Sequence, residues 1–262
     1  MKNPKFILVG LLVSGVVLTG CQTGDAESTT EEKSYVIGLD DTFAPMGFRD
    51  DEGELVGFDI DLAEAVAEDL DYNISFQPID WAMKETELNA GNIDMIWNGY
   101  TITDERAEKV DFSSPYLENS QLIVTLEGNA IEAKEDLAGR KVAAQQSSSA
   151  VSAIEGDPSN ILSEFDNSEV IQYPSNNDVF NDLISGRSDA IVVDETLGRY
   201  YMSQNPNPEY KVLTDNFGDE EYAIGFRKED DELREKFNAS LERLMDDGTY
   251  DDIYGTWFSD EK

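Results

Sequence analysis

Histidine does not occur anywhere in the 262 residues, and cysteine occurs once. The first absence removes the Ser-His-Asp triad, the imidazole general base and every zinc or haem site that uses imidazole. The second removes disulfides within the chain and thiolate metal clusters. Basic residues are scarce as well: 19 Lys and Arg stand against 56 Asp and Glu, a formal charge of −37. Phosphate binding needs clustered cations, and a surface this acidic repels nucleic acid at long range, so no nucleic-acid partner is expected. Neither a Gly-rich phosphate loop, a Walker sequence nor a solenoid-length repeat is found, and no cofactor or metal is expected. What is present is core material. The chain is 40% apolar, with 3 Trp, 11 Tyr and 12 Phe, enough for one large or two small folded domains.

Long apolar runs are missing too. The longest, at 6–18 behind Lys2 and Lys5, is too short for a stable bilayer span and suits the h-region of a secretory signal covering 1–20. It ends in Leu18-Thr19-Gly20-Cys21, which resembles the lipobox of bacterial lipoproteins, where the cysteine sulfur receives a diacylglycerol. A generic signal followed by a free thiol is the alternative; that the sole cysteine falls here favours lipidation of Cys21. An acyl-anchored terminus would hold the protein on a membrane face without a transmembrane helix. Residues 21–34 turn to Gly, Ser, Thr, Glu and Asp without apolar periodicity, the pattern of a flexible tether.

Beyond residue 34, short β-rich runs at 35–39, 74–76, 95–97, 122–125, 142–144, 170–173, 190–193 and 223–226 alternate with helical patterns. Phe58, Leu62, Val66 and Leu70 recur at spacing four, with Glu64, Glu68 and Asp71 facing water. Leu233, Phe237, Leu241, Leu244 and Met245 repeat that stripe, behind acids at the helix start and ahead of Gly248. The alternation predicts an α/β protein with parallel sheets flanked by helices, in two lobes because the length exceeds one comfortable core. Ligands of such sheets sit beyond the carboxyl ends of the strands, so the segments that follow the strands are the candidates. Read alone, 39–48 is a solvated, turn-rich loop. Asp80 can cap a helix opening at Trp81, and Thr103 can cap one whose first turn holds Arg106. A cation at that end opposes the helix dipole, so something other than helix stability placed it. Gln146, Ser147, Ser148 and Ser149 lead into a helix with hydroxyls and free N–H groups of the type that hold a carboxylate. Asp194 directly follows a strand.

Six stretches in order carry a resemblance. They are 38–45 (Gly-Leu-Asp-Asp-Thr-Phe-Ala-Pro), 53–62 (Gly-Glu-Leu-Val-Gly-Phe-Asp-Ile-Asp-Leu), 102–106 (Ile-Thr-Asp-Glu-Arg), 111–116 (Asp-Phe-Ser-Ser-Pro-Tyr), 136–142 (Asp-Leu-Ala-Gly-Arg-Lys-Val) and 247–250 (Asp-Gly-Thr-Tyr). Together they resemble the polar amino-acid-binding proteins of bacterial ABC importers, over nearly the whole chain after the tether. The resemblance implies a two-lobed, type II periplasmic-binding-protein fold with mainly parallel sheets and a two-segment hinge. Lobe 1 would comprise 35–119 and 222–262, and lobe 2 residues 120–221. It also implies a site. Arg106 would fork onto the ligand α-carboxylate, as a planar guanidinium does and a Lys cannot. Asn98, Gly99 and Thr101 would add contacts to the same headgroup, and Ser149 with the Ala150 N–H would close on it from the other lobe. Asp194 would pair with the α-ammonium, Phe43 and Trp81 would sandwich the ligand side chain, Asp40 and Asp59 would lie near its tip, and Gln145 would open the far wall. Ser147, Asn98 and Met46 depart from the family's usual Gly, Ser and Phe. The implied protein is a monomeric, lipid-anchored receptor on the extracytoplasmic face, delivering a free amino acid to an ABC permease. An enzyme on the same fold, similar to cyclohexadienyl dehydratase, is the alternative, and a sensing domain is a third reading that is less expected because no signalling element follows Lys262.

Overall fold

A computed structural model describes residues 33–258. The expected signal segment and Cys21, the expected lipidation position, lie outside the described residues. In chain order the first part comprises β1 (Ser34–Leu39), β2 (Thr42–Phe43), β3 (Gly47–Arg49), β4 (Leu55–Val56), α1 (Phe58–Leu70), β5 (Asn73–Pro78), α2 (Lys84–Ala90), β6 (Met95–Ile96), α3 (Asp104–Ala107) and β7 (Asp111–Phe112). It continues with β8 (Leu117–Leu126), β9 (Val142–Gln145), α4 (Ser149–Glu155), β10 (Val170–Tyr173), α5 (Asn176–Ile184), β11 (Ala190–Asp194), α6 (Glu195–Gln204), β12 (Tyr210–Tyr222), β13 (Gly225–Phe226), α7 (Asp231–Asp247) and α8 (Thr249–Phe258).

Two five-stranded sheets form, with orders β5-β1-β6-β13-β7 and β10-β9-β11-β8-β12. Each is parallel where helical crossovers link its strands, β1 with β5 and β6, and β9 with β10 and β11. Each turns antiparallel where the chain returns, at β13 in the first and at β8 and β12 in the second. Side chains alternate between faces, and the apolar clusters follow that period of two. In the second sheet Leu122, Val124, Ala143, Ile191 and Val193 join one cluster, while Ile123, Val142, Ala144, Ala190 and Val192 join another on the opposite face. Both faces are therefore covered, as the continuous apolar strands require. The stripes of α1 and α7 pack into the first of these clusters through Phe58, Leu62, Val66, Leu233, Phe237 and Leu241.

The chain passes between the sheets at 113–116 and again at 223–224, and the two passages are bonded to each other. Ser113 N–H donates to the Ile224 carbonyl at 2.9 Å, Ile224 N–H to Ser113 Oγ at 2.8 Å, and Tyr116 N–H to the Tyr222 carbonyl at 2.9 Å.

Three features differ from the sequence reading. The turn-rich stretch after β1 is not a solvated loop: β2, β3 and β4 form a three-stranded sheet, and Phe43 and Met46 are buried in the core, because two apolar residues between turns suffice to fold it inward. The run at 223–226 forms a ladder only at Gly225 and Phe226. The longest strand, β12, was not anticipated, since Asp, Asn and Glu interrupt its alternation and its register slips between Val212, Asn216 and Asp219.

Candidate ligand-binding site

The first wall of the site is built on the segment following β6. Trp97, Asn98, Gly99, Tyr100 and Thr101 are all buried. Gly99 has φ of +54°, and a Cβ there would stand 2.7 Å from the Phe43 ring, so the close seating of Phe43 and the left-handed turn both require glycine. Asp59 is buried against this segment. Its Oδ2 accepts the Gly99 N–H at 2.7 Å, and burial pushes its carboxyl up to about 7. Asn98 supports the neighbouring segment, with Oδ1 accepting the Asp40 N–H at 3.1 Å.

Thr103 caps α3 by accepting the Arg106 N–H at 3.1 Å, which turns the Arg106 side chain back along the segment. Its guanidinium lies 4.5 Å from the Tyr100 ring centroid, a cation–π shelf that orients the fork. Nη1 donates to the Thr101 carbonyl at 2.9 Å, and Nη2 reaches the Ser147 carbonyl at 3.4 Å. Arg106 is only 6% exposed. In a chain this acidic it nevertheless makes no ion pair among the described residues; its partners are neutral carbonyls.

Trp81 opens a short 3-10 turn capped by Asp80, as the spacing predicts. Its ring meets Tyr100 edge-on at 5.9 Å. Immediately after it comes a residue that the sequence reading missed. Lys84 is 2% exposed; its Nζ lies 4.9 Å from the Trp81 ring centroid and donates to the Ser147 carbonyl at 3.0 Å. Burial, then the charge of Arg106, push this ammonium down to about 8. Lys84 and Arg106 thus converge on one carbonyl. Ser147 holds that carbonyl in place with φ of +55°, so the left-handed geometry expected of glycine is kept by a serine.

The second wall carries the opposite charge. Asp194 ends β11 and is 6% exposed. Its Oδ1 accepts from Gln121 Nε2 at 2.5 Å and from Asn119 Nδ2 at 3.0 Å. Burial, then the neighbouring charge of Glu220, raise its carboxyl well above the ordinary range. Ser149 opens α4 and Ala150 is buried in its first turn. Thr101 Oγ1 and Ser149 Oγ lie 3.1 Å apart, joining the walls.

A second bridge closes the far end. Gln145 Nε2 donates to Asp40 Oδ2 at 2.7 Å and to the Pro174 carbonyl at 3.0 Å, while its Oε1 accepts from Asn176 at 3.0 Å. Asp40 Oδ1 is held by the Thr42 N–H at 3.0 Å and hydroxyl at 2.6 Å. Arg106, Thr101, Ser149 and Asp194 are thereby brought together, Asp40 and Gln145 form a separate polar end, and Phe43 and Trp81 flank the first wall. Local signals marked Arg106 and Asp194. Nothing local marked Lys84 or Glu220, whose environment is made by distant segments.

Comparison with known proteins identifies the family. Residues 35–260 match the bacterial extracellular solute-binding proteins, family 3, and the chain belongs to that family. A Streptococcus pneumoniae substrate-binding protein of an ABC uptake transporter, solved with bound histidine, is 40% identical and superposes with a TM-score of 0.84 over 86% of this chain and 92% of that one. The glutamine-binding protein of an ABC transporter from Bacillus subtilis (strain 168) is 32% identical, covering 100% of this chain and 99% of the relative. An arginine-binding extracellular protein of the same organism is 29% identical over the full length of both chains. The architecture is that of the type II amino-acid-binding proteins among these neighbours.

Proposed function

We propose that this protein captures a free amino acid between its two lobes, lobe 1 being 35–119 with 222–262 and lobe 2 being 120–221, and presents it to an ABC permease. The observation that carries the reading is the pair of unmatched charges. A buried guanidinium without an acidic partner lies on one wall, and a buried carboxylate without a basic partner lies on the other. An α-amino acid supplies both counter-charges at the spacing of one tetrahedral carbon. Burying either group unpaired is costly, and a zwitterion relieves both costs at once. Because each wall holds a different end of one ligand, binding favours the closed arrangement, and a permease can read that shape. The bonded passages at 113–116 and 223–224 supply the hinge.

The side-chain end holds Asp40, Gln145, Phe43 and Trp81, which suits a neutral polar or basic amino acid. Lys84 adds a cation against Trp81 and tips the order toward neutral polar side chains. The named relatives, which bind histidine, glutamine and arginine, fall within that class. The relatives are named as binding proteins of transport systems, which supports capture over turnover.

A thermal-shift screen of the twenty amino acids plus ornithine, citrulline and cystine tests this, because a ligand that binds only the folded state must raise its melting temperature. Mass spectrometry of the bound compound should return it chemically intact; a dehydrated product would establish the enzyme alternative instead. The lipid anchor at Cys21 supports delivery at the membrane face. In a bacterial host Cys21→Ser should lose acyl labelling and move to the soluble fraction, and a labelled, membrane-bound variant would refute the anchor.

A further inference from the structure

The second wall holds two carboxylates, and their placement follows from strand register. Asp194 on β11 lies opposite Gln121 on β8, and Glu220 on β12 lies opposite Asn119 on the same strand. Residues 119 and 121 are two apart, so they share a face of β8, and the acids from its two neighbours converge over them. The distances show how close the convergence is. Gln121 Nε2 donates to Asp194 Oδ1 at 2.5 Å and to Glu220 Oε1 at 2.8 Å; Asn119 Nδ2 donates to the same two oxygens at 3.0 and 2.6 Å. Thr101 Oγ1 reaches Glu220 Oε1 at 3.1 Å from the other wall.

We propose that Glu220 is a ligand-contacting residue: with Asp194 it forms a paired-carboxylate seat for the ligand's α-ammonium, and a proton kept by Asp194 beside Glu220 leaves when the ammonium arrives. This rests on the amino-acid-receptor reading and adds to it a residue and a proton.

The two acids accept from the same Gln121 and Asn119 donors, and burial, then the charge of Glu220, favour the protonated form of Asp194. No cation on the second wall relieves them. On β12 the other facing group is the buried phenol of Tyr222, behind which lies Tyr116; both are held neutral by burial and by neighbouring acids. On α6, Glu195 is turned away and engaged by Ser120 and Arg199. On the first wall Arg106 is separated from the pair by Thr101, whose carbonyl it holds while the Thr101 hydroxyl faces Glu220. An α-ammonium brings a full positive charge and three N–H donors. It can serve both carboxylates, and the displaced proton passes to solvent.

Calorimetric titration of L-glutamine, L-histidine and L-arginine at pH 7, in phosphate and in Tris, reads the proton directly, because the two buffers differ in ionisation enthalpy. The wild-type protein should release about one proton per ligand bound. Glu220→Gln should abolish most of that release and weaken binding at least about tenfold. Tight binding with heats that do not depend on buffer would overturn the proposal, whatever the variant does. Undiminished affinity and proton release in Glu220→Gln would overturn it as well. If none of the amino acids bound, the receptor reading itself would fail and this inference with it.

Discussion

The two walls of the candidate site hold buried charge with different materials. On the first, cations are held by carbonyl oxygens and aromatic faces: Arg106 on Tyr100 and Thr101, Lys84 on Trp81 and Ser147. On the second, carboxylates are held by amide hydrogens projecting from alternate positions of one strand. Arg106 of the first wall and the acids of the second make no ion pair among the described residues, whereas Lys84 also lies 3.5 Å from Glu85 Oε1. At Arg106, neutral partners satisfy the hydrogen-bonding demand but leave the charge uncompensated, which under the proposed function suits a ligand group of opposite sign. Asp59 shows the contrast within one lobe. It is equally buried, but its Oδ2 accepts a backbone N–H, that of Gly99, rather than side-chain amides, so it supports a turn.

Arg106→Ala removes the first wall's fork and should have the largest effect. Truncating one side of a desolvated charge pair costs about 2 to 5 kcal/mol, so ligand affinity should fall between about thirtyfold and several-thousandfold without unfolding. Unchanged affinity by calorimetry would mean that the walls are not complementary in the sense described.

The Asp59 prediction sharpens the contrast between a ligand-facing acid and a turn-holding one. Its folded value of about 7 lies above the ordinary 3.8. Between those pH values the folded protein holds a proton that the unfolded chain has released, so stability falls as pH rises from about 4 to about 7, by an amount of order 4 kcal/mol. Asp40 and Asp194 are raised by burial and act in the same direction. Urea unfolding of Asp59→Asn should show a shallower decline over that window with ligand affinity retained; an unaltered slope would exclude Asp59 as a major contributor.

A smaller effect concerns Lys84. Replacing it with Met removes the second cation of the first wall and should shift preference toward basic ligands, with the arginine-to-glutamine affinity ratio rising about tenfold. Competition binding in which the ratio stayed constant would separate Lys84 from specificity.

The least residue-specific expectation arises from the formal charge of −37. Screening the self-repulsion should raise the melting temperature between dilute and molar NaCl by a few degrees. A flat profile would assign the acidity to solubility alone.

Much of this architecture was legible because it is periodic. The α1 and α7 stripes and the parallel strands repeat at intervals that local sequence displays. Arg106 was legible for another reason: it stands where a helix prefers an acid, so its presence demanded a cause. Lys84 offers no such signal, since it becomes buried only when Ser147, 63 positions away, is brought against it. Glu220 is one of 56 carboxylates, on a strand whose bulged, polar pattern hid its existence. Its neighbour in the site is fixed by register with β8, which no local window contains. The small sheet β2–β4 was obscured by turn residues, although Phe43 and Met46 carried its buried face.

The placement of Trp81 has an optical consequence. Its indole lies against the Lys84 ammonium, whereas Trp97 is sealed in the core and Trp257 donates its indole N–H to Asp61 on α1 at 2.8 Å. Indole emission responds to nearby charge and to water. Under the proposed function, Trp81 is the one of these three chromophores whose charged neighbour a ligand would disturb, so the protein would carry a label-free fluorometer for its own site, with the other two indoles as a steady background.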